Sequence, residues 1–245
     1  MKKILTTFTF LVSLSSVLNA DVLRIEAGAG AWAQTPSGGL VANTAGDTGS
    51  DVSKENRQSE GYAWVLIKHF VPIVPNVRLE YVTLTNEGTA TGTFAKFTAQ
   101  GATKLEMKQY DIVPYYNILD NTFWMTLDLG VDVKIINMSY TADDGTVSGY
   151  HDSANFALPM LYARTRAQLP LSGLGAEADI KYVTYSDTTV YDARVKLDYT
   201  FEITPLIQPG IEVGYRVQKF KSNDLDDVNL DLDFAGFYAG IMLRF

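Results

Sequence analysis

The chain has 245 residues, no cysteine and a formal charge of −8. At 47% hydrophobic and 12% aromatic it is too apolar for an unstructured chain, and the absence of cysteine excludes a disulfide scaffold and a cysteine-based metal site. No apolar run after residue 20 approaches the ~20 residues of a spanning helix, and the acidic balance speaks against nucleic acid as a partner.

Residues 1–20 have the layout of a secretory signal peptide: Lys2 and Lys3, an apolar stretch from Ile4 to Leu18, and a small residue, Ala20, at the end. The expected mature chain starts at Asp21. Without Lys2 and Lys3 its 20 basic residues become 18, against 28 acidic ones. The rest, 21–245, reads as a single domain.

From there apolar residues recur with a period of two, the strand signal. The clearest case is Phe123, Met125, Leu127, Leu129, Val131, Val133 and Ile135 on one face, with Thr126, Asp128, Gly130, Asp132 and Lys134 on the other. Ten strands are predicted, over 22–33, 61–70, 77–85, 104–116, 122–140, 154–169, 174–186, 189–201, 210–221 and 229–245. Merging two of them gives an eight-stranded alternative. Between them long polar loops (34–60, 86–103, 141–153) alternate with short turns (71–76, 118–121, 170–173). Long loops at one end and short turns at the other describe a transmembrane antiparallel up-and-down β-barrel.

Period alone does not separate a soluble sandwich, with its apolar faces inside, from a membrane barrel, with them outside. The polar faces do. They collect Arg24, Glu26, Arg78, Glu80, Asp111, Asp128, Asp132, Lys134, Arg164, Arg166, Glu177, Asp179, Lys181, Asp192, Arg194, Lys196, Asp198, Glu212 and Arg216, which is ten acidic and nine basic groups in a strongly acidic chain. A balanced set suits a narrow closed lumen, where unpaired charge is costly. The lattice reading expects every charge there to have a partner, so that Asp132→Ala is costly while Asp226→Ala in the last hairpin is not.

The chain ends in Tyr238-Ala239-Gly240-Ile241-Met242-Leu243-Arg244-Phe245. Here Tyr238, Gly240, Leu243 and Phe245 resemble the C-terminal signal by which bacterial outer-membrane barrels are recognised for insertion. More widely, His69 through Tyr81, the long strand after Asp120-Asn121 and the C-terminus resemble an uncharacterised family of small proteobacterial outer-membrane β-barrel proteins. That resemblance implies a fold and a location in the bacterial outer membrane, with termini periplasmic and long loops extracellular. It carries no catalytic residue. The partners it implies are outer-membrane lipid and lipopolysaccharide, and the barrel-assembly machinery acting on the last strand.

The remaining candidates are weaker. A barrel of ~8 strands is filled by side chains and one of 16–18 holds a channel, so ten strands favour a filled lumen over a pore. Ten-stranded surface proteases of the omptin type use Asp pairs and an Asp–His pair at the outer rim. This chain offers only His151 beside Asp152, and adjacent residues in an extended segment point opposite ways. Asp224, Asp226, Asp227, Asp231 and Asp233 crowd the last hairpin with hard oxygen donors that suit a divalent cation or, more simply, form a solvated acidic rim. By parity Asp231 and Asp233 share the face of Leu243 and Phe245, so they must stand above the hydrocarbon band unless a bulge intervenes. The reading expects no cofactor and no enzymatic activity. It expects a filled barrel with a structural, adhesive or loop-mediated binding role; the alternatives are a narrow conduit for a small solute or hydrophobic molecule, and a hydrolase at loop 141–153.

Overall fold

Alternating side chains make strands wherever backbone partners are available, and nearly the whole chain complies. The structure, a computed structural model, describes residues 23–245 apart from 95, 123, 171, 202, 205, 206, 226 and 227. Residues 1–22, on which the expected signal peptide falls, and Phe123, Asp226 and Asp227 therefore lie outside the described residues. The strands are β1 (Leu23–Ala42), β2 (Ser50–Ser53), β3 (Gln58–His69), β4 (Asn76–Phe94), β5 (Phe97–Thr122), β6 (Met125–Ala142), β7 (Tyr150–Gln168), β8 (Leu174–Tyr185), β9 (Thr188–Thr200), β10 (Gln208–Leu225) and β11 (Val228–Arg244).

Each strand pairs antiparallel with its neighbours, and β11 closes onto β1 from Glu26↔Arg244 to Ala42↔Val228. The short β2 and the longer β3 are two parts of one descending strand, since both pair with β1 and with β4. The ring therefore has ten positions, as the sequence predicts. The exposed segment Lys54–Arg57 leaves the wall between the two parts. Residues Gln58–Gly61 follow β1 without pairing to β4. Side chains close the seam: Gln34 donates to the Thr83 carbonyl at 3.0 Å and accepts from the Thr85 N–H at 3.3 Å, and Thr85 Oγ1 donates to Glu60 at 2.7 Å.

The strands outrun their predicted limits at the end opposite the C-terminus. Segments 34–42 and 86–103, expected as loop, continue the β1 and β4–β5 ladders. They were hard to read because their inward residues are small, such as Ala90 and Ala99, while their outward ones are polar, such as Thr89, Thr91 and Gln100. The turn at 143–149 is built by its own polar residues: Gly145 N–H donates to Asp143 and Thr146 N–H to Asp144, each at 2.9 Å. At the opposite end His69 pins the turn. Its Nδ1 accepts from Val71 N–H at 3.2 Å, which leaves Nε2 to donate to the Pro75 carbonyl at 3.1 Å.

Two storeys follow from this length. In the one that carries the C-terminus, outward residues are apolar and exposed, among them Leu79, Ile112, Val131, Ile180, Val195, Ile211 and Ile241, while the inward ones are charged and buried. The outward run on β9 from Tyr199 to Tyr191 matches the ~9–11 residues a tilted strand needs to cross a bilayer. Above it the chemistry inverts without a change of parity. Asn137, Ser139, Lys104, Asn155 and Asp231 face outward and are exposed, while Leu84, Leu105, Met107, Ile136, Leu232 and Phe234 face inward and are buried. Asp231 and Asp233 thus stand above the belt. No bulge lies between them and Leu243, because the β10–β11 ladder is unbroken from Gln208↔Arg244 to Ser222↔Leu230.

The belt has a sharp consequence. A cation on the lipid face costs about 2–4 kcal/mol near the midplane and about 0–1 near the interfaces. Val195→Arg is expected to lower unfolding stability in lipid vesicles by an amount in the first range, and Thr141→Arg, on the outward face of the upper storey, by less than about 0.5 kcal/mol. Urea titration of both variants checks this.

Candidate functional site: the charged lumen

The sequence places carboxylates and cations at every second position of six or more strands, and ring closure turns those faces toward one another. The resulting bonds cross the lumen as well as joining neighbours. Glu80 on β4 reaches Lys181 on β8 at 2.7 Å, Arg194 on β9 at 3.3 Å and Arg216 on β10 at 3.7 Å, and it also pairs with Arg78. Glu177 on β8 takes Arg164 at 2.6 Å, Arg78 at 3.3 Å, Arg166 at 3.4 Å, Lys196 at 3.6 Å and Arg194 at 3.8 Å. These two carboxylates are the hubs of the lattice.

Around them the pairs are mostly local. Asp192 accepts two bonds from Arg216, at 2.9 and 2.6 Å, and one from Lys134 at 3.2 Å. Lys134 also bridges both oxygens of Asp111, at 2.8 and 2.9 Å, and Lys181 joins the same carboxylate. Arg164 holds Asp128 at 2.6 Å, and Arg194 holds Asp179 at 2.9 Å. Arg166 grips Asp198 through both its terminal nitrogens, at 2.7 and 2.9 Å. Two-point bonds of this kind are the strong ones.

Aromatic side chains complete the set. Glu212 accepts from Lys196 at 3.0 Å, from the Trp64 ring nitrogen at 2.9 Å and from the Tyr62 hydroxyl at 2.8 Å. Lys196 and Arg78 also lie over the Trp64 ring, at 4.4 and 5.0 Å from its centre. This explains why 61–70 reads as apolar on both faces: Trp64 and Leu66 face the lumen, while Val65 and Ile67 face out. The fit depends on glycine, because a Cβ at Gly28 would come within 2.5 Å of the Trp64 ring nitrogen.

The centre of this lattice is packed tight. Arg78, Asp128, Asp132 and Lys134 expose 0% of their surface, and Lys181 exposes 1%, so no water-sized space adjoins them. All the lumen residues expected from the sequence face inward. Arg24 differs in being half-exposed at the rim, where it pairs with Glu26 at 2.5 Å. Sequence reasoning missed Arg244, which holds Asp198 at 2.9 Å and Glu26 at 3.4 Å. Its parity, opposite to Leu243 and Phe245, was the available signal. Of the terminal motif, Tyr238 and Gly240 face the lumen, Tyr238 edge-on to Tyr62 at 5.3 Å, while Leu243 and Phe245 face out.

One expectation is corrected. Asp132 has no ion pair among the described residues, and neither of its oxygens has a hydrogen-bond partner. The buried lumen charges of the described residues are ten carboxylates, Asp132 among them, and nine cations, so one carboxylate is in excess. Asp132 faces Met160 across β7, and Lys134, the cation two residues along its own strand, is taken by Asp111 and Asp192.

The rim offers no catalytic pair. His151 is exposed on the outer face and bonds the Ser148 carbonyl at 2.8 Å, whereas Asp152 is turned to the other side. There it meets Tyr150 at 3.0 Å and Lys96 at 3.3 Å. The Ser153 N–H and the Tyr150 hydroxyl hold the Asp152 carboxyl below its usual range, and partial burial with that same bond pushes Tyr150 up to about 12. In the last hairpin, Lys219 takes both Asp231 and Asp233, each at 2.8 Å. Among the described residues no three His, Cys, Asp or Glu side chains are grouped to hold a metal.

No family model matches the chain, and no curated protein matches it. Solved structures do. It is similar to the outer membrane protease OmpT from Escherichia coli, with a TM-score of 0.52 at 10% identity over 91% of this chain and 96% of that one. It is also similar to the translocator domain of the autotransporter NalP from Neisseria meningitidis, with a TM-score of 0.41 at 14% identity over 98% of this chain and 95% of that one. At 10% identity the likeness to OmpT is one of fold alone, that of an outer-membrane barrel; the ten ring positions are read from this chain's own strand pairing.

Removing one partner of a buried pair typically costs ~3–5 kcal/mol, because the other charge is left uncompensated. Lys134→Met, which leaves Asp111 with Lys181 alone and weakens Asp192, is expected to fall toward the lower end of that range. Asp132→Asn orphans no cation and is expected to leave stability unchanged or raised. Urea unfolding in vesicles measures both.

Proposed function

We propose that the protein is a closed barrel of the bacterial outer membrane, non-enzymatic, whose lumen is a structural plug and whose upper storey is its working surface. The observation that carries this reading is the burial of the lattice: the lumen charges inside the rim are at most 7% exposed and are tied across the ring, an arrangement that favours a plug over a path for ions. The apolar belt supports the location, with the upper storey standing in water. Binding, adhesion or a structural role in the envelope then falls to the polar wall and turns of that storey. The chain termini lie in the periplasm, and the 43–49 and 143–149 turns lie outside the cell.

A narrow conduit is the competing reading. Its support is the β3–β4 seam, where side chains rather than a backbone ladder close the wall. A hydrolase at 141–153 has less support, because His151 and Asp152 point apart.

In planar bilayers the purified protein is expected to give no steady conductance; open-channel current would favour the conduit. For orientation, Val147→Cys is expected to react with an impermeant maleimide on intact cells, while Ile73→Cys, exposed at the other end, reacts only after lysis. The reverse pattern would invert the topology.

A further inference from the structure

The interior of the upper storey is apolar, yet β2 carries a carboxylate into it. Asp51 exposes 8% of its surface. Its Oδ1 accepts from Thr103 Oγ1 at 3.0 Å and its Oδ2 from the Tyr140 hydroxyl at 2.7 Å. No Lys or Arg forms an ion pair with it among the described residues, and Lys54 and Lys104, the nearby cations in sequence and ladder, are exposed on the outside. A buried carboxylate with only neutral donors has no cation beside it to offset a negative charge.

A second group beside it is also unsatisfied. Asn86 exposes 8%, and its Oδ1 has no partner. Its orientation is set by its neighbours: the amide Nδ2 donates to Ser53 Oγ at 2.8 Å, and the Ser53 proton is committed to the Gly38 carbonyl at 2.6 Å. The oxygen must therefore point away from Ser53. Asp51 and Asn86 line one enclosed cavity of about 10 Å³, shared with Thr103 and Tyr140. Gly88 keeps the place open, since a Cβ there would come within 2.7 Å of Asp51 Oδ1.

We propose that this cavity binds a monovalent alkali cation. The polar donors facing it are oxygens, which select a hard cation. One carboxylate calls for one positive charge; a divalent ion would leave a surplus in an apolar interior. The cavity is the size of a single water, which is room for one bare alkali cation. A water in its place satisfies the two oxygens and leaves the charge of Asp51 uncompensated. The ion ties β2 to β4, β5 and β6. That matters for a strand of four residues, which holds β1 by three residue pairs and β4 by four, directly above the seam.

The test uses the full mature chain in lipid vesicles, unfolded by urea in sodium, potassium or choline chloride at equal ionic strength. With the better-bound alkali ion about tenfold above its Kd, the folding constant is expected to rise about tenfold over choline, and amide exchange at Ser50–Ser53 is expected to slow in the same salt. Asp51→Asn is expected to abolish both differences. Should that variant not fold, sodium-23 relaxation on the unaltered protein gives the same answer, with excess relaxation saturating at one ion per chain. Equal stabilities in all three salts, or no saturable relaxation, would overturn the proposal in favour of a water.

Discussion

A closed ring with an apolar outer belt must put its polar residues inside, where charge survives only if it is paired. That constraint shapes most of the lower storey. Desolvating an ion costs several kcal/mol, and a partner returns this only with good geometry and further hydrogen bonds. Two-point contacts at Asp192 and Asp198, and the five cations around Glu177, supply that geometry. Because Glu80 and Lys181 reach across from opposite walls, the lattice also braces the ring. A pair confined to adjacent strands would not.

The upper storey solves the opposite problem with the same alternation. Once the strands rise above the belt the outer face meets water, and the inner face is free to be apolar. Leu105, Ile136 and Phe234 then form an ordinary hydrophobic core. The molecule thus joins a membrane half held by ion pairs to an aqueous half held by apolar burial. Trp64, hydrogen-bonded to Glu212 and stacked under Lys196, belongs to both schemes.

Much of this was legible in the residues. Val131 and Val133 against Asp132 and Lys134 give the strand and its facing, and the near-neutral polar faces give the filled lumen. The last strand shows its parity through Ile241, Leu243 and Phe245. What was not legible has physical causes. Thr-rich and Ala-rich stretches such as 86–103 lack the contrast that marks a strand, so the upper hairpins read as loops. The split between Ser53 and Gln58 depends on which neighbour each residue finds, which no local pattern encodes. Pairing across the ring is equally invisible: parity puts Asp132 inside but does not say that Asp111 and Asp192 take Lys134 first. The Asp51 and Asn86 cavity lay in a segment read as loop, and the glycine that makes room for it, Gly88, comes from another strand.

The dryness of the lattice is the claim from which the plugged lumen and the proposed role both follow. Water-edited solid-state NMR of the protein in lipid, with arginine and lysine side chains labelled, tests it most directly. Transfer from water is expected to be slow to Arg78, Lys134 and Lys181 and fast to Lys104 and Lys219. Equally fast transfer to both groups would show a hydrated lumen and contradict the account.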